Sequence, residues 1–269
     1  MKKHNTRSLR EHKIQNGKAP LQMLTCYDFQ TAGLLNETEI DLLLVGDSLG
    51  NVILGYETTV EVSLEEMIVF CSAVKRGAPD KFVVADLPFG TYSTFEKGIE
   101  NATKLFQSSK AEAVKLEGAR AHHLELIKRL TETGIPVMGH IGLTPQSVHE
   151  MGGYYLHGKD EKSQERLLKE ATDLEKAGAF CVVLECVKEE LSKTISESLT
   201  IPTIGIGSGD YTDGQVLVLN DLLHMGKNDP PKFCTPVANF YDLKKDAVEN
   251  YLQQKKAINP YNDGKSLNH

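Results

Sequence analysis

Eight short runs rich in Val, Ile and Leu, separated by segments of helical period, predict an α/β chain folded as a (β/α)8 barrel. The runs lie at 21–26, 41–46, 82–85, 113–116, 135–139, 180–184, 201–206 and, with the weakest pattern, 216–219. Each is too short for a typical helix, and several are almost continuously apolar, as strands covered on both faces are. Strands that alternate with helices pair in parallel through right-handed crossovers. A doubly wound open sheet uses the same alternation, but eight units in a chain of 269 residues fit a closed barrel better.

The intervening segments justify the helices in turn. Ser8 with Glu11 has capping-box spacing and predicts a short N-terminal helix that plugs the barrel bottom. Ser63 with Glu66 opens a helix with Leu64, Met67, Ile68, Cys71 and Val74 on one stripe. Ser93 with Glu96 repeats the signal before Phe95, Ile99, Ala102 and Phe106. Leu124, Ile127 and Leu130 form a stripe ended by Gly134. Leu167, Leu168, Ala171 and Leu174 form another, running to Gly178, and Leu191, Ile195 and Leu199 a shorter one before Pro202. A C-terminal helical extension at 242–258 carries Leu243, Ala247, Tyr251 and Leu252 on one face, expected to be core or subunit contact. The tail after Pro260 is expected to be mobile. No Pro/Ser-rich linker divides the chain, so a single domain over 1–269 is expected, with the barrel core at 20–235 and a helix and tail at 236–269.

Composition narrows the function. Thirty Lys and Arg against 37 Asp and Glu give a net charge of −7, without the basic footprint of a nucleic-acid partner. The longest apolar runs, such as 201–206, fall far short of the ~20 residues of a membrane span. Five Cys, with no CxxC pair, suggest neither a disulfide framework nor a zinc cluster. The basic N-terminus lacks the apolar stretch of a secretory signal, and a cytoplasmic chain is expected.

A barrel places its active site at the C-terminal ends of its strands. The second strand ends in Val45-Gly46-Asp47-Ser48, the third in Ala85-Asp86, the fourth in Lys115-Leu116-Glu117, the fifth in Gly139-His140-Ile141 and the sixth in Leu184-Glu185. Period-two alternation puts Val45 with Asp47, Val84 with Asp86, Lys115 with Glu117, Met138 with His140 and Val183 with Glu185. If those faces point inward, carboxylates from three consecutive strands converge on the barrel mouth, and strands about 4.8 Å apart let two or three of them share one small ion. All-oxygen ligation that leaves positions for water and substrate suits Mg2+. Glu185, across the mouth, is then a candidate general base. Each residue also has a plain structural reading. A strand-end Asp is commonly a cap, Lys115 could pair with Glu117 or Glu185, and His140 could be a satisfied interior histidine. So much buried charge in one place nevertheless favours a metal-assisted enolising enzyme. Elsewhere, Gly205-Ile206-Gly207-Ser208-Gly209 fits a phosphate-cradling loop, but close packing is favoured. The loop 152–158 fits a cover for the site, and His122 and His123 are expected to be solvated.

Four strings carry a family resemblance: Leu44-Val45-Gly46-Asp47-Ser48-Leu49-Gly50, Val84-Ala85-Asp86-Leu87-Pro88-Phe89-Gly90-Thr91-Tyr92, Val114-Lys115-Leu116-Glu117-Gly118 and Gly139-His140-Ile141-Gly142-Leu143-Thr144-Pro145-Gln146. With Glu185, Ile201-Pro202-Thr203-Ile204-Gly205-Ile206-Gly207 and Asp213-Gly214-Gln215-Val216-Leu217-Val218, they resemble the ketopantoate hydroxymethyltransferase family over residues 20–235. The resemblance implies a TIM barrel of the phosphoenolpyruvate/pyruvate type, cytoplasmic and homo-oligomeric, a decamer. It implies Mg2+ and transfer of a one-carbon unit from 5,10-methylenetetrahydrofolate to 3-methyl-2-oxobutanoate, forming ketopantoate for pantothenate biosynthesis through a Mg-stabilised enolate. Asp47 and Asp86 are then metal ligands and Glu117 a metal-site carboxylate. Asp47, Ser48, Asp86, Lys115 and His140 line the keto-acid site, and Glu185 is the proton acceptor, with Lys115 a second catalytic group. Phe70, His157, Ser208 and Asn220 depart from residues common in the family, and none removes a catalytic group. The alternatives are another Mg-dependent carbon–carbon lyase of the same barrel class and a non-catalytic oligomeric barrel.

Overall fold

The computed structural model describes residues 3–257. Eight parallel strands close into a barrel in chain order: β1 Leu21–Thr25, β2 Leu42–Val45, β3 Phe82–Asp86, β4 Ala113–Glu117, β5 Val137–Gly142, β6 Cys181–Glu185, β7 Thr203–Ile206 and β8 Gly214–Leu217, which pairs back to β1. The helices are α1 Thr6–Arg10, α2 Phe29–Asn36, α3 Leu64–Gly77, α4 Phe95–Ser109, α5 Ala121–Glu132, α6 Val148–Met151, α7 Glu161–Ala177, α8 Glu189–Ser198, α9 Leu219–Leu222 and α10 Phe240–Ala257. The chain falls into two compact units, Met1–Leu219 and Asn220–His269. Among the described residues, no helix is long and apolar enough to cross a membrane.

Inside the barrel, alternate strand residues meet in one cluster that includes Leu21, Met23, Leu42, Leu44, Phe82, Val84, Met138, Val183 and Ile204. Leu9 of α1 joins that cluster beside Leu21, Leu42 and Phe82, the first residues of β1, β2 and β3. The short helix therefore closes the N-terminal end of the barrel, and burying this one leucine contributes roughly 1.5–3 kcal/mol. Its cap is Asn5, whose side chain accepts the Ser8 N–H, while Ser8 reciprocates from the third helical position. Ser8 is thus not the cap, because the helix starts earlier than Ser8 with Glu11 implies.

Helix α3 carries the expected box. Ser63 accepts the Glu66 N–H, and Glu66 accepts the Ser63 N–H at 2.7 Å. At α4 the cap is Thr94, one residue beyond the predicted Ser93, since two adjacent hydroxyl residues offer the same chemistry. Helix α5 buries Leu126, Ile127 and Leu130, with Leu124 only partly covered. Helix α7 ends at Gly178, in the left-handed region at φ 104°. Strand β8 begins two residues before its apolar signal, because Gly214 and Gln215 pair with Leu21 and Gln22.

The second unit contains α10 and a segment whose backbone bonds back on itself, Val237 N–H to the Leu222 carbonyl and Phe240 N–H to that of Leu223. Leu243, Ala247, Tyr251 and Leu252 are exposed on α10, so this face is not buried within the second unit. Residue 258 and the tail after Pro260 lie outside the described residues.

Candidate active site

The strand ends bring five of the predicted residues together. Asp86 ends β3, Lys115 and Glu117 lie on β4, His140 on β5, and Glu185 ends β6. The register sets Asp86 beside Lys115 and Glu117 beside His140. Lys115 Nζ donates to both Asp86 oxygens, at 2.7 and 2.6 Å, and stands 3.8 Å from Glu117. The His140 ring lies between two carboxylates, Nδ1 3.4 Å from Glu117 and Nε2 3.4 Å from Glu185. A line of alternating charge thus runs from β3 to β6. Lys115 takes Asp86 as its main partner, not Glu117 or Glu185.

Asp47 arrives differently from the alternation argument. The inward residues of β2 are Leu42 and Leu44, not Val45. The strand ends at Val45, and the turn that follows breaks the period of two and brings Asp47 inward. Asp47 is buried and accepts an N–H from the Gln146 amide at 2.8 Å. Ser48 is half-buried, with Oγ 2.8 Å from the Tyr27 hydroxyl, and makes no bond to the charged cluster.

Burial and mutual charge decide the protonation of these groups. Burial, together with repulsion from Asp86 and Glu117, holds the Asp47 carboxyl well above the usual carboxylate range. Burial also raises Asp86, against the pull of Lys115. For Lys115, burial disfavours the ammonium, but Asp86, Glu117 and Asp47 outweigh it and hold the group above the ordinary lysine value. Burial raises Glu117 too, yet His140, Lys115 and the Gln146 N–H win and lower it. His140 is pushed up to about 9, because its two carboxylate neighbours overcome burial and Lys115.

The donor set fits a divalent cation. Asp47, Asp86, Glu117 and Glu185 face one ammonium and one imidazolium, a formal excess of two negative charges in a buried site. Among the described residues no three His, Cys, Asp or Glu side chains form a ready-made metal cage. A Mg2+ ion needs only one or two carboxylates and takes the rest of its shell from substrate and water, and Asp47 and Asp86 supply the carboxylates.

Residues 3–259 match the family model described as ketopantoate hydroxymethyltransferase. The chain belongs to this family. A relative from Leptospira interrogans, 3-methyl-2-oxobutanoate hydroxymethyltransferase, is 50% identical over 251 residues, covering 91% of this chain and 95% of the relative. The Thermotoga maritima protein of the same name is 51% identical, covering 92% of each. Among solved structures, 2,3-dimethylmalate lyase, a PEP mutase/isocitrate lyase superfamily member, superposes with a TM-score of 0.60 at 15% identity, over 97% of this chain and 90% of that one. Phosphonopyruvate hydrolase in complex with oxalate and Mg2+ gives 0.60 at 9% identity, over 93% and 99%. These two likenesses establish the barrel fold. As a ketopantoate hydroxymethyltransferase family member the chain is an enzyme, a transferase acting on small molecules.

Beside Glu117 this family member opens a cavity of about 420 Å3, with Phe89, Tyr92, His123, Gln146, Arg120 and Arg166 on its wall. Asp47, Asp86, Lys115 and Glu185 are not on that wall, so the cavity adjoins the charged cluster and does not contain it. His123 is not solvated as expected. It lies half-buried, edge-on to Tyr92 at 5.8 Å, with burial first among the causes that push it down to about 4. Tyr92 and Gln146 are the polar residues that strand-end reasoning missed, since both sit in loops beyond strand ends. Their signal was their place inside the family strings.

The loop 152–158 is anchored at its end, where the buried His157 donates its N–H to the Cys186 carbonyl at 2.7 Å, one residue past Glu185. Glycines at 205 and 209 serve packing, as favoured: an added Cβ would meet Thr212 and Glu189 at 2.6 and 2.3 Å. No thiol is activated. Burial pushes Cys26 up to about 12 and Cys71 and Cys186 up to about 11, and raises Cys181 and Cys234.

Proposed function

We propose that the chain transfers a hydroxymethyl group from 5,10-methylenetetrahydrofolate to 3-methyl-2-oxobutanoate, forming ketopantoate in pantothenate biosynthesis. The observation that carries the reading is the cluster of three buried carboxylates with Glu185 half-buried at its edge, two formal charges short of neutrality, with Lys115 inside it. Asp47 and Asp86 would hold Mg2+, with Glu117 beside it. Bound there, Mg2+ supplies the Lewis acidity that makes the C3 hydrogen of the keto acid more acidic. Asp47, Ser48, Asp86, Lys115 and His140 line the keto-acid site. Lys115 adds positive potential where negative charge develops on the substrate.

Glu185, at 17% side-chain exposure, is reachable from the mouth and takes the C3 proton. The resulting carbanion bonds to the folate-borne methylene as the first of its two C–N bonds breaks, and the C3 proton passes to the freed nitrogen. Water then displaces the second nitrogen, leaving its OH on that carbon as the hydroxyl of ketopantoate and its proton on tetrahydrofolate. The cavity beside Glu117 suits the folate donor, with Arg120 and Arg166 on its wall for the donor's carboxylates. A cytoplasmic homo-oligomer, built from the barrel as one domain, completes the proposal.

The test is C3 proton exchange of 3-methyl-2-oxobutanoate in deuterated water. Glu185→Gln keeps Mg2+ and keto-acid binding and loses exchange. Full exchange in that variant removes Glu185 from the role of base. Ketopantoate formation that does not depend on added folate donor rejects the reaction itself.

A further inference from the structure

Gln146 lies in the turn Pro145–Ser147 beyond β5 and is 4% exposed, and its side-chain amide and backbone N–H are all engaged. Nε2 donates to Asp47 Oδ2 at 2.8 Å and to the Leu87 carbonyl at 3.0 Å. Oε1 accepts the Tyr92 hydroxyl, and the Gln146 backbone N–H donates to Glu117 Oε2 at 3.1 Å. The Tyr92 oxygen in turn accepts the Glu117 backbone N–H at 3.4 Å. Leu87 follows Asp86 directly. One residue from the β5 side is therefore tied to the ends of β2, β3 and β4, the strands that carry Asp47, Asp86 and Glu117.

The chemistry suits a primary amide and little else. Both N–H bonds are used, so a carboxylate or an apolar side chain in this place leaves Asp47 and Leu87 without a donor. An amide donates without bringing positive charge, and so leaves the charge of Asp47 available. Tyr92 fixes the orientation. With Oε1 against its hydroxyl, the NH2 faces Asp47; turned over, Oε1 would face two acceptors.

We propose that Gln146 is a positioning residue for the divalent-cation site: it pins one oxygen each of Asp47 and Glu117 and leaves the other Asp47 oxygen for the ion, with Tyr92 locking the amide. The proposal rests on the reading of Asp47 as a metal ligand. Outer partners of this kind set metal affinity by orienting the ligands that touch the ion.

The test uses the full chain, stripped by a chelator, with free Mn2+ measured by electron paramagnetic resonance and Mg2+ as competitor. Gln146→Met, which keeps bulk and the backbone N–H, weakens Mn2+ binding by about 10- to 100-fold. Tyr92→Phe weakens it by about 3- to 10-fold, the worth of one hydrogen bond. In both, raising Mg2+ restores most of the turnover, because the loss lies in metal occupancy. Native Mn2+ affinity in a folded Gln146→Met overturns the proposal. Should that variant not fold, native affinity in Tyr92→Phe overturns it. Asp47→Asn separates the two readings. If it abolishes binding while Gln146→Met does not, only the positioning role falls; if it binds as the native chain does, the ligand reading fails and the proposal falls with it.

Discussion

His140 offers the sharpest check on the electrostatics of the cluster. Its imidazolium is raised from an ordinary 6.5 to about 9, with Glu117 and Glu185 each 3.4 Å away overcoming burial and Lys115. At about 1.4 kcal/mol per pH unit, that difference amounts to roughly 3 kcal/mol of folding free energy. The sign follows from linkage. The folded chain holds the proton more tightly than the unfolded chain, so the stabilisation is complete below the unfolded value of 6.5 and disappears as pH rises through about 9. His140→Gln keeps a polar side chain without the titration. Urea unfolding of metal-free protein in chelator, from about pH 6 to about pH 10, measures the difference between native and variant. We expect the native advantage to shrink by roughly 3 kcal/mol across that window, mostly between 6.5 and 9. An advantage that stays flat, or an imidazole that titrates by NMR at or below 6.5, refutes the reasoning.

Two further outcomes follow from single contacts. Lys115→Met leaves Asp86 buried without its cation, at a cost of about 3–5 kcal/mol. The midpoint of metal-free thermal unfolding falls by roughly 6–20 °C, Mg2+ recovers part of that loss, and a drop within the error of the melt contradicts the pairing. Gly142, at φ 96°, has no room for a Cβ, which would stand 2.3 Å from the Glu185 backbone oxygen. Gly142→Ala costs about 1–3 kcal/mol of strain and shifts the end of β6. C3 proton exchange by the folded variant then falls more than its keto-acid affinity does, and native exchange would show that Glu185 tolerates the displacement.

The barrel was legible because its signals are local. Each strand is an apolar run, each long helix has a stripe and most have a capping residue, and these come from backbone periodicity within a few residues. Helix α2 is short, and its eight residues bury only Ala32 and Leu35, too few to make a stripe in the sequence. The charged residues on β3 to β6 were legible for the same reason. Once Val84, Met138 and Val183 point inward, Asp86, His140 and Glu185 must follow. Asp47 reached the site against the alternation, through a turn, where period two no longer applies.

By itself, the sequence determined that acidic groups would gather at one end of eight parallel strands, with a lysine and a histidine among them. Tertiary structure alone decided the partners: Lys115 with Asp86, His140 between Glu117 and Glu185, Gln146 and Tyr92 bracing Asp47 and Glu117. Partner choice depends on the register between neighbouring strands, on turns that bring together residues as far apart in the chain as Asp47 and Gln146, and on how the ring closes. Neither distance is written in any local pattern, because side-chain pairing is set by ångström-scale separations that only the packed barrel fixes.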